Sequence, residues 1–162
     1  MKIITTNKNR IVFALLTIAT MVCIFIFSCE NSDNSSETSG RFVKIALKIF
    51  YSGFEDMSAA EQAEILSSLS HIIRKTAHFT IFAALGFFSS MTVGRRRAFG
   101  KASLAVLIFC FAYAVSDEFH QYFVPGRACM LADILLDTLG SATGISLSLL
   151  LLNRKRGNII EV

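Results

Sequence analysis

The chain has 162 residues, of which 53% are hydrophobic and only 17% are charged. This large apolar share, with a single proline, is typical of an integral membrane protein and argues against a soluble enzyme domain. The formal net charge of +4 does not indicate nucleic-acid binding, because the basic residues stand in short clusters beside apolar segments, where membrane topology explains them.

The first apolar segment covers residues 11–28 and follows a short basic start. As a helix, residues 11–27 would be roughly 26 Å long, close to the thickness of the hydrocarbon core. A basic start before an apolar run is also seen in signal peptides, and the sequence before Cys29 loosely resembles a lipoprotein cleavage box. Because the run is long for a signal peptide and Phe27 fits the box poorly, we expect a transmembrane helix.

A long outward loop is predicted over residues 29–73. Its first part, residues 30–40 (ENSDNSSETSG), has no apolar anchor. In residues 41–51 (RFVKIALKIFY), the apolar Phe42, Ala46 and Phe50 lie on one helical face together with Ile45 and Ile49, which predicts a short amphipathic helix at the membrane interface or packed on the bundle. Residues 58–61 then have the pattern of a capping box, which predicts the start of another helix.

Three further spans are predicted over residues 76–93, 102–123 and 128–152. Of the 16 Lys and Arg residues, ten fall on the side that holds both chain ends and six on the other. The positive-inside rule therefore places both termini in the cytoplasm. The sequence predicts an all-α fold, a single membrane domain over residues 1–162 with four transmembrane helices.

Ionisable residues crowd into the end of the third span, in residues 116–127 (SDEFHQYFVPGR). Asp117, His120 and Gln121 have the spacing of one helix face, and Glu118 lies about 100° round from Asp117. Charged groups in a membrane segment are costly and usually face a protein interior or a wet cavity. The stretch is therefore either the mouth of a functional site, reached by water, or a solvated helix end.

The fourth span carries Asp133, Asp137, Gly140 and Gly144 on one stripe, and its G-x-x-x-G pattern allows close approach of another helix. Asp137 is expected close to the bilayer centre, where a carboxylate needs a partner. The candidate partners are His78, Arg74, Lys75, His120 and Arg127. The groups together predict an outward polar pocket. Its candidate catalytic residues are Asp117, Glu118 and His120, and its candidate binding residues are Arg74, Lys75, His78, Gln121, Arg127, Asp133 and Asp137.

This set of groups is compatible with acid and base catalysis, with a divalent cation, with an anionic head group, or with a purely structural ion network. No motif specifies a metal, and no cofactor is expected. Cys29 and Cys129 are predicted near the same membrane face, where a disulfide is conceivable, but their spacing follows no disulfide pattern.

Three motifs together resemble one family. They are RKTAHF at residues 74–79, AYAVSDEFHQYFVPGR at residues 112–127, and D-x-x-x-D-x-x-G-x-x-x-G at residues 133–144. They resemble the VanZ-like family of bacterial membrane proteins, named for a protein associated with teicoplanin resistance. The chain departs from the family pattern at Asp137, where the family often has Asn, and at the Ser-Cys-Glu of residues 28–30.

The resemblance implies a role in the bacterial cell envelope and glycopeptide tolerance, and it assigns no reaction. We expect a multi-pass protein of the cytoplasmic membrane that acts on or binds an envelope lipid, a precursor or a glycopeptide antibiotic. A non-catalytic scaffold and a small-molecule transporter are the alternatives. The glycine stripe also permits a homo-oligomer through helix packing.

Overall fold

The computed structural model describes residues 7–30, 40–41, 43–45, 47–49, 51, 53–54, 56–94, 100–127 and 129–154. Most of the predicted polar loop of residues 30–40, the basic cluster at residues 95–97 and both chain ends lie outside this part. The same holds for Phe42, Ala46 and Phe50 of the predicted amphipathic face.

Four long helices make up most of the described chain. They are α1 (Asn7–Ser28), α2 (Ala59–Val93), α3 (Lys101–Gln121) and α4 (Leu131–Arg154). Each is long and apolar enough to cross a membrane. No strand occurs among the described residues. The predicted all-α bundle of four transmembrane helices is confirmed.

Helix α2 is the longest, with 35 residues. It begins at the predicted capping box, in which the backbone N–H of Glu61 donates to Ser58 Oγ and the Glu61 carboxylate accepts from the Ser58 backbone N–H. No Gly or Pro interrupts the chain between residues 59 and 85, so the helix continues unbroken through the end of the predicted loop and into the predicted span.

A short helical segment precedes α2, and its described residues 40–41, 43–45 and 47–49 are helical. Val43 in this segment is buried, whereas Ile45 and Ile49 are exposed. Two apolar residues of the predicted amphipathic face therefore point away from the protein.

Helices α2 and α4 pack along a seam of small residues. A Cβ atom on Gly140 would fall on the backbone of Phe79, and one on Gly144 would fall on the backbone of Ala83. Gly86 of α2 approaches the backbone of Ser141 in the same way. The stripe of α4 that bears Asp137 is thus the packing face, as the sequence predicts. This seam fixes the depth and rotation of the carboxylates on α4.

The turn after α3 brings the chain back over the end of the bundle. Helix α3 ends at Gln121, four residues before Pro125, and Gly126 adopts a positive φ of 76°. Only glycine accepts that backbone conformation without strain. The turn places Arg127 and the start of α4 beside the last turn of α3.

Candidate functional site

A cavity of about 240 Å³ lies between α2, α3 and α4, at the end of the bundle where α3 stops and α4 starts. It is lined by His71, Arg74, Lys75, His78, Glu118, Gln121, Gly126, Arg127, Met130, Asp133, Leu136 and Asp137. Eight of the ten predicted site residues are among them. Elements far apart in the sequence therefore supply one polar site.

Asp117 is buried, with 4% of its surface exposed, and both of its carboxylate oxygens accept hydrogen bonds. Ser28 Oγ, at the end of α1, donates to Oδ1 at 2.5 Å, and Gln121 Nε2 donates to Oδ2 at 2.8 Å. Arg127 Nη1 in turn donates to Gln121 Oε1 at 2.9 Å. This chain of hydrogen bonds fixes the orientation of the Asp117 carboxylate.

Glu118 is also buried, with 1% exposed, and its Oε2 accepts the backbone N–H of Met130 at 2.9 Å. The bond joins the last turn of α3 to the residue before α4 and satisfies a donor at the start of a helix. The expectation that water reaches Asp117 and Glu118 is therefore wrong. The end of α1 covers Asp117, and the turn after α3 folds Met130 against Glu118.

His120 stands apart from the cavity. Its ring lies 4.9 Å from the ring of Phe25 between centroids, and its Nε2 lies 3.4 Å from Cys29 Sγ. A residue three positions after Asp117 is rotated by about 60° from it, and here that rotation suffices to turn His120 towards α1. The predicted shared face thus holds for Asp117 and Gln121 but not for His120. Cys29 and Cys129 are both free thiols.

The two aspartates of α4 have different partners on α2. Asp133 forms an ion pair with Lys75, and both side chains are about one quarter to one third exposed, at 27% and 31%. Lys75 is thus the cation that lies against Asp133. Asp137 lies one turn deeper and is fully buried. Its Oδ2 is 3.7 Å from His78 Nδ1, which is too long for a hydrogen bond, and neither carboxylate oxygen has a hydrogen-bond partner.

Two guanidinium groups lie at the rim of the cavity. Arg74 Nη2 is 3.4 Å from His71 Nδ1, and no carboxylate of the described residues is within ion-pair distance of Arg74. Arg127 Nε is buried without a hydrogen-bond partner. Arg127 lies in the turn between α3 and α4, outside the membrane-spanning segments. Its pKa is lowered mainly by burial and, to a smaller extent, by the positive charge of Arg74. Both guanidinium groups line the same cavity, and the positive charge of Arg74 disfavours that of Arg127.

Three contributors to the site were not among the predicted residues: Ser28, His71 and the backbone N–H of Met130. Ser28 is the last residue of α1, and a polar residue at the end of an otherwise apolar span is a usable signal. His71 stands one turn before Lys75 on α2, within the helical pattern of the predicted positions. No sequence pattern indicates the role of Met130, because a backbone group acts there.

His78, Asp117 and Asp137 come together at the inner end of the site. One potential ligand atom from each residue lies within 4.8 Å of the others. They derive from α2, α3 and α4, so the packing of three helices creates the cluster.

The sequence that forms this site matches a known protein family. The sequence pattern of the VanZ/LLP1 family matches residues 13–152, which includes all of α2 and α3, most of α1 and nearly all of α4. Comparisons with curated proteins and with solved structures gave no significant match. The matched region contains every residue of the site described above, and the chain belongs to the VanZ/LLP1 family.

Proposed function

We propose that the protein binds the anionic head group of a cell-envelope lipid or lipid-linked precursor between Arg74 and Arg127. The observation that carries this proposal is the pair of neighbouring guanidinium groups at the cavity rim, one of them with a buried N–H that has no partner. An anion between the two groups would relieve their repulsion and accept that N–H. Arg is suited to this task because its planar group binds phosphate through two parallel hydrogen bonds.

The other charges around the cavity are less available. Lys75 is engaged by Asp133, and Glu118 accepts a backbone N–H. Arg74 has no carboxylate partner among the described residues. Arg127 Nη1 and Nη2 donate to Gln121 Oε1 and the Phe27 carbonyl, but Arg127 Nε has no partner, so both side chains still offer N–H donors to an anion.

The size of the cavity favours a head group over a whole antibiotic. At about 240 Å³ it is smaller than the roughly 300 Å³ at which pockets for drug-sized ligands begin. A glycopeptide antibiotic would not fit, whereas a phosphate group would. In this proposal glycopeptide tolerance follows from binding the lipid-linked material that the antibiotic competes for, at the outer face that the charge bias predicts.

The proposal is tested by lipid binding to the purified protein in detergent. Arg74→Gln removes one cation without leaving a carboxylate unpaired, so the variant should fold normally and bind a polyprenyl phosphate about tenfold less tightly, a loss of about 1.4 kcal/mol. Lys101→Gln is the matched control, because it removes a cation at the opposite end of the bundle. The same variants would be compared for teicoplanin tolerance at equal membrane abundance.

Competition binding experiments identify the chemical group that the protein recognises. Inorganic phosphate should displace the labelled lipid, and a neutral diacylglycerol should not. Equal binding by wild type and Arg74→Gln would contradict the proposal and favour a scaffold role, in which the buried network serves only to hold α1, α3 and α4 together.

A further inference from the structure

We propose that His78, Asp117 and Asp137 hold a divalent transition-metal ion of the zinc class at the floor of the cavity. The inference goes beyond the anion proposal and does not depend on it, since none of these three residues is a rim cation.

The spacing of the three groups suits a metal ion. With bonds of about 2.1 Å, the ligand atoms of a tetrahedral zinc site are about 3.4 Å apart. Here His78 Nδ1 and Asp137 Oδ2 are 3.7 Å apart, and all three groups offer an atom within 4.8 Å of the others. Small side-chain rotations would bring the three atoms onto one ion.

Asp137 is the second, independent sign of a ligand. Its carboxylate is fully buried, and neither oxygen has a hydrogen-bond partner. Buried polar atoms are nearly always satisfied, so such a group in a folded protein calls for an ion or a water molecule. A metal ion would bond directly to this carboxylate, whereas the 3.7 Å contact with His78 is too long for a hydrogen bond.

The surroundings of Asp117 resemble the outer shell of a metal site. Ligating carboxylates are typically held by hydrogen bonds from neighbouring groups, which orient them. Ser28 and Gln121 donate to the two oxygens of Asp117, and Arg127 fixes Gln121. Each carboxylate oxygen accepts more than one contact, so these bonds leave a lone pair for the ion.

The donor set selects the class of metal. Imidazole nitrogen suits zinc and other late transition metals, whereas calcium and magnesium prefer oxygen ligands alone. Three protein ligands also leave one position of a tetrahedral zinc ion open, as in sites where a water or a ligand completes the coordination. That position would face the cavity.

Metal binding to the tag-free protein in detergent tests this site. After treatment with a chelator, the wild type should take up one Zn²⁺ per chain by elemental analysis, and Co²⁺ should give the visible absorption bands of a low-coordinate site. Asp137→Asn and His78→Ala should each lower the affinity for Zn²⁺ at least tenfold. Ser28→Ala should lower it by about tenfold through loss of orientation.

His71→Ala is the matched control, because His71 lies on the same helix and lines the same cavity without belonging to the cluster. It should bind Zn²⁺ like the wild type. Zn²⁺ uptake and the Co²⁺ bands of the wild type test the proposed metal site even if a variant fails to fold. Absence of stoichiometric Zn²⁺ and of the Co²⁺ bands in the wild type would overturn the proposal, as would full Zn²⁺ affinity in folded Asp137→Asn. Neither result would alter the predicted effect of Arg74→Gln on lipid binding.

Discussion

Asp133 and Asp137 are one helical turn apart on α4, yet their surroundings differ. Asp133 meets Lys75 near the rim, where both side chains keep some contact with water. Asp137 is closed off from water, and its ionisable neighbours are His78 and Asp117. The first is a structural ion pair, and the second is a group that lacks a partner.

For the ion pair we predict that Asp133→Asn lowers the free energy of unfolding by about 1–3 kcal/mol. This lies between the values for exposed and buried pairs, because removing the carboxylate leaves Lys75 in a partly desolvated place. Unfolding in mixed detergent micelles measures the change.

A double variant provides the control for that prediction. Lys75→Met combined with Asp133→Asn removes the unpaired charge and should recover much of the lost stability. Strictly additive losses in the double variant would show that the two side chains do not interact.

Much of the site could be predicted at the level of single residues. The four-residue spacing on α4 and the spacing of residues 74, 75 and 78 on α2 place side chains on one face, and those faces do meet. The position of His120 and the contribution of Ser28 could not be predicted, because both depend on how α1 is rotated against α3. Sequence periodicity predicts which residues share one face of a helix. It does not predict how that helix is rotated against its neighbour.

At the scale of the helices, the glycine seam between α2 and α4 holds the site together. Alanine favours a helix over glycine by about 1 kcal/mol, so Gly→Ala in an uncrowded helix stabilises it. At Gly144 the added methyl group would instead collide with the backbone of Ala83 and Phe87. A backbone cannot move aside as a flexible side chain can.

We therefore predict that Gly144→Ala lowers the free energy of unfolding by about 1–3 kcal/mol, the usual cost of overpacking. Thr143→Ala is the control, since Thr143 neighbours it on an exposed face of the same helix. Thermal unfolding in detergent should separate the two variants. A stable Gly144→Ala protein would mean that α2 and α4 are further apart than the seam indicates.

At the scale of the whole molecule, the distribution of Lys and Arg predicts that the site opens to the outside of the cell. A membrane-impermeant maleimide tests this in a chain whose exposed Cys23, Cys29 and Cys129 are changed to Ser. Ser68→Cys in the first half of α2 should react in intact cells. Ala102→Cys at the start of α3 should react only after the membrane is opened, and the reverse pattern would invert the topology.

The number and order of the helices could be predicted because long apolar runs and charge clusters are local features of the sequence. The continuity of α2 was less evident, since its first turns are polar enough to suggest a loop. Helical spacing from residue 59 onwards, without Gly or Pro before residue 86, was the signal for one unbroken helix.

The length of α2 has a mechanical consequence. Its 35 residues make about 52 Å of helix, and even at a tilt of about 40° it rises some 40 Å, more than the roughly 30 Å of hydrocarbon. The half of α2 after Arg74 packs on α4, so the excess length falls in the half before Arg74, which extends beyond the hydrocarbon. Arg74 lies near the middle of α2, whereas Arg127 lies in the turn after α3. A partner that binds the turns of α2 before Arg74 and tilts the helix would therefore change the distance between Arg74 and Arg127 without contacting either residue.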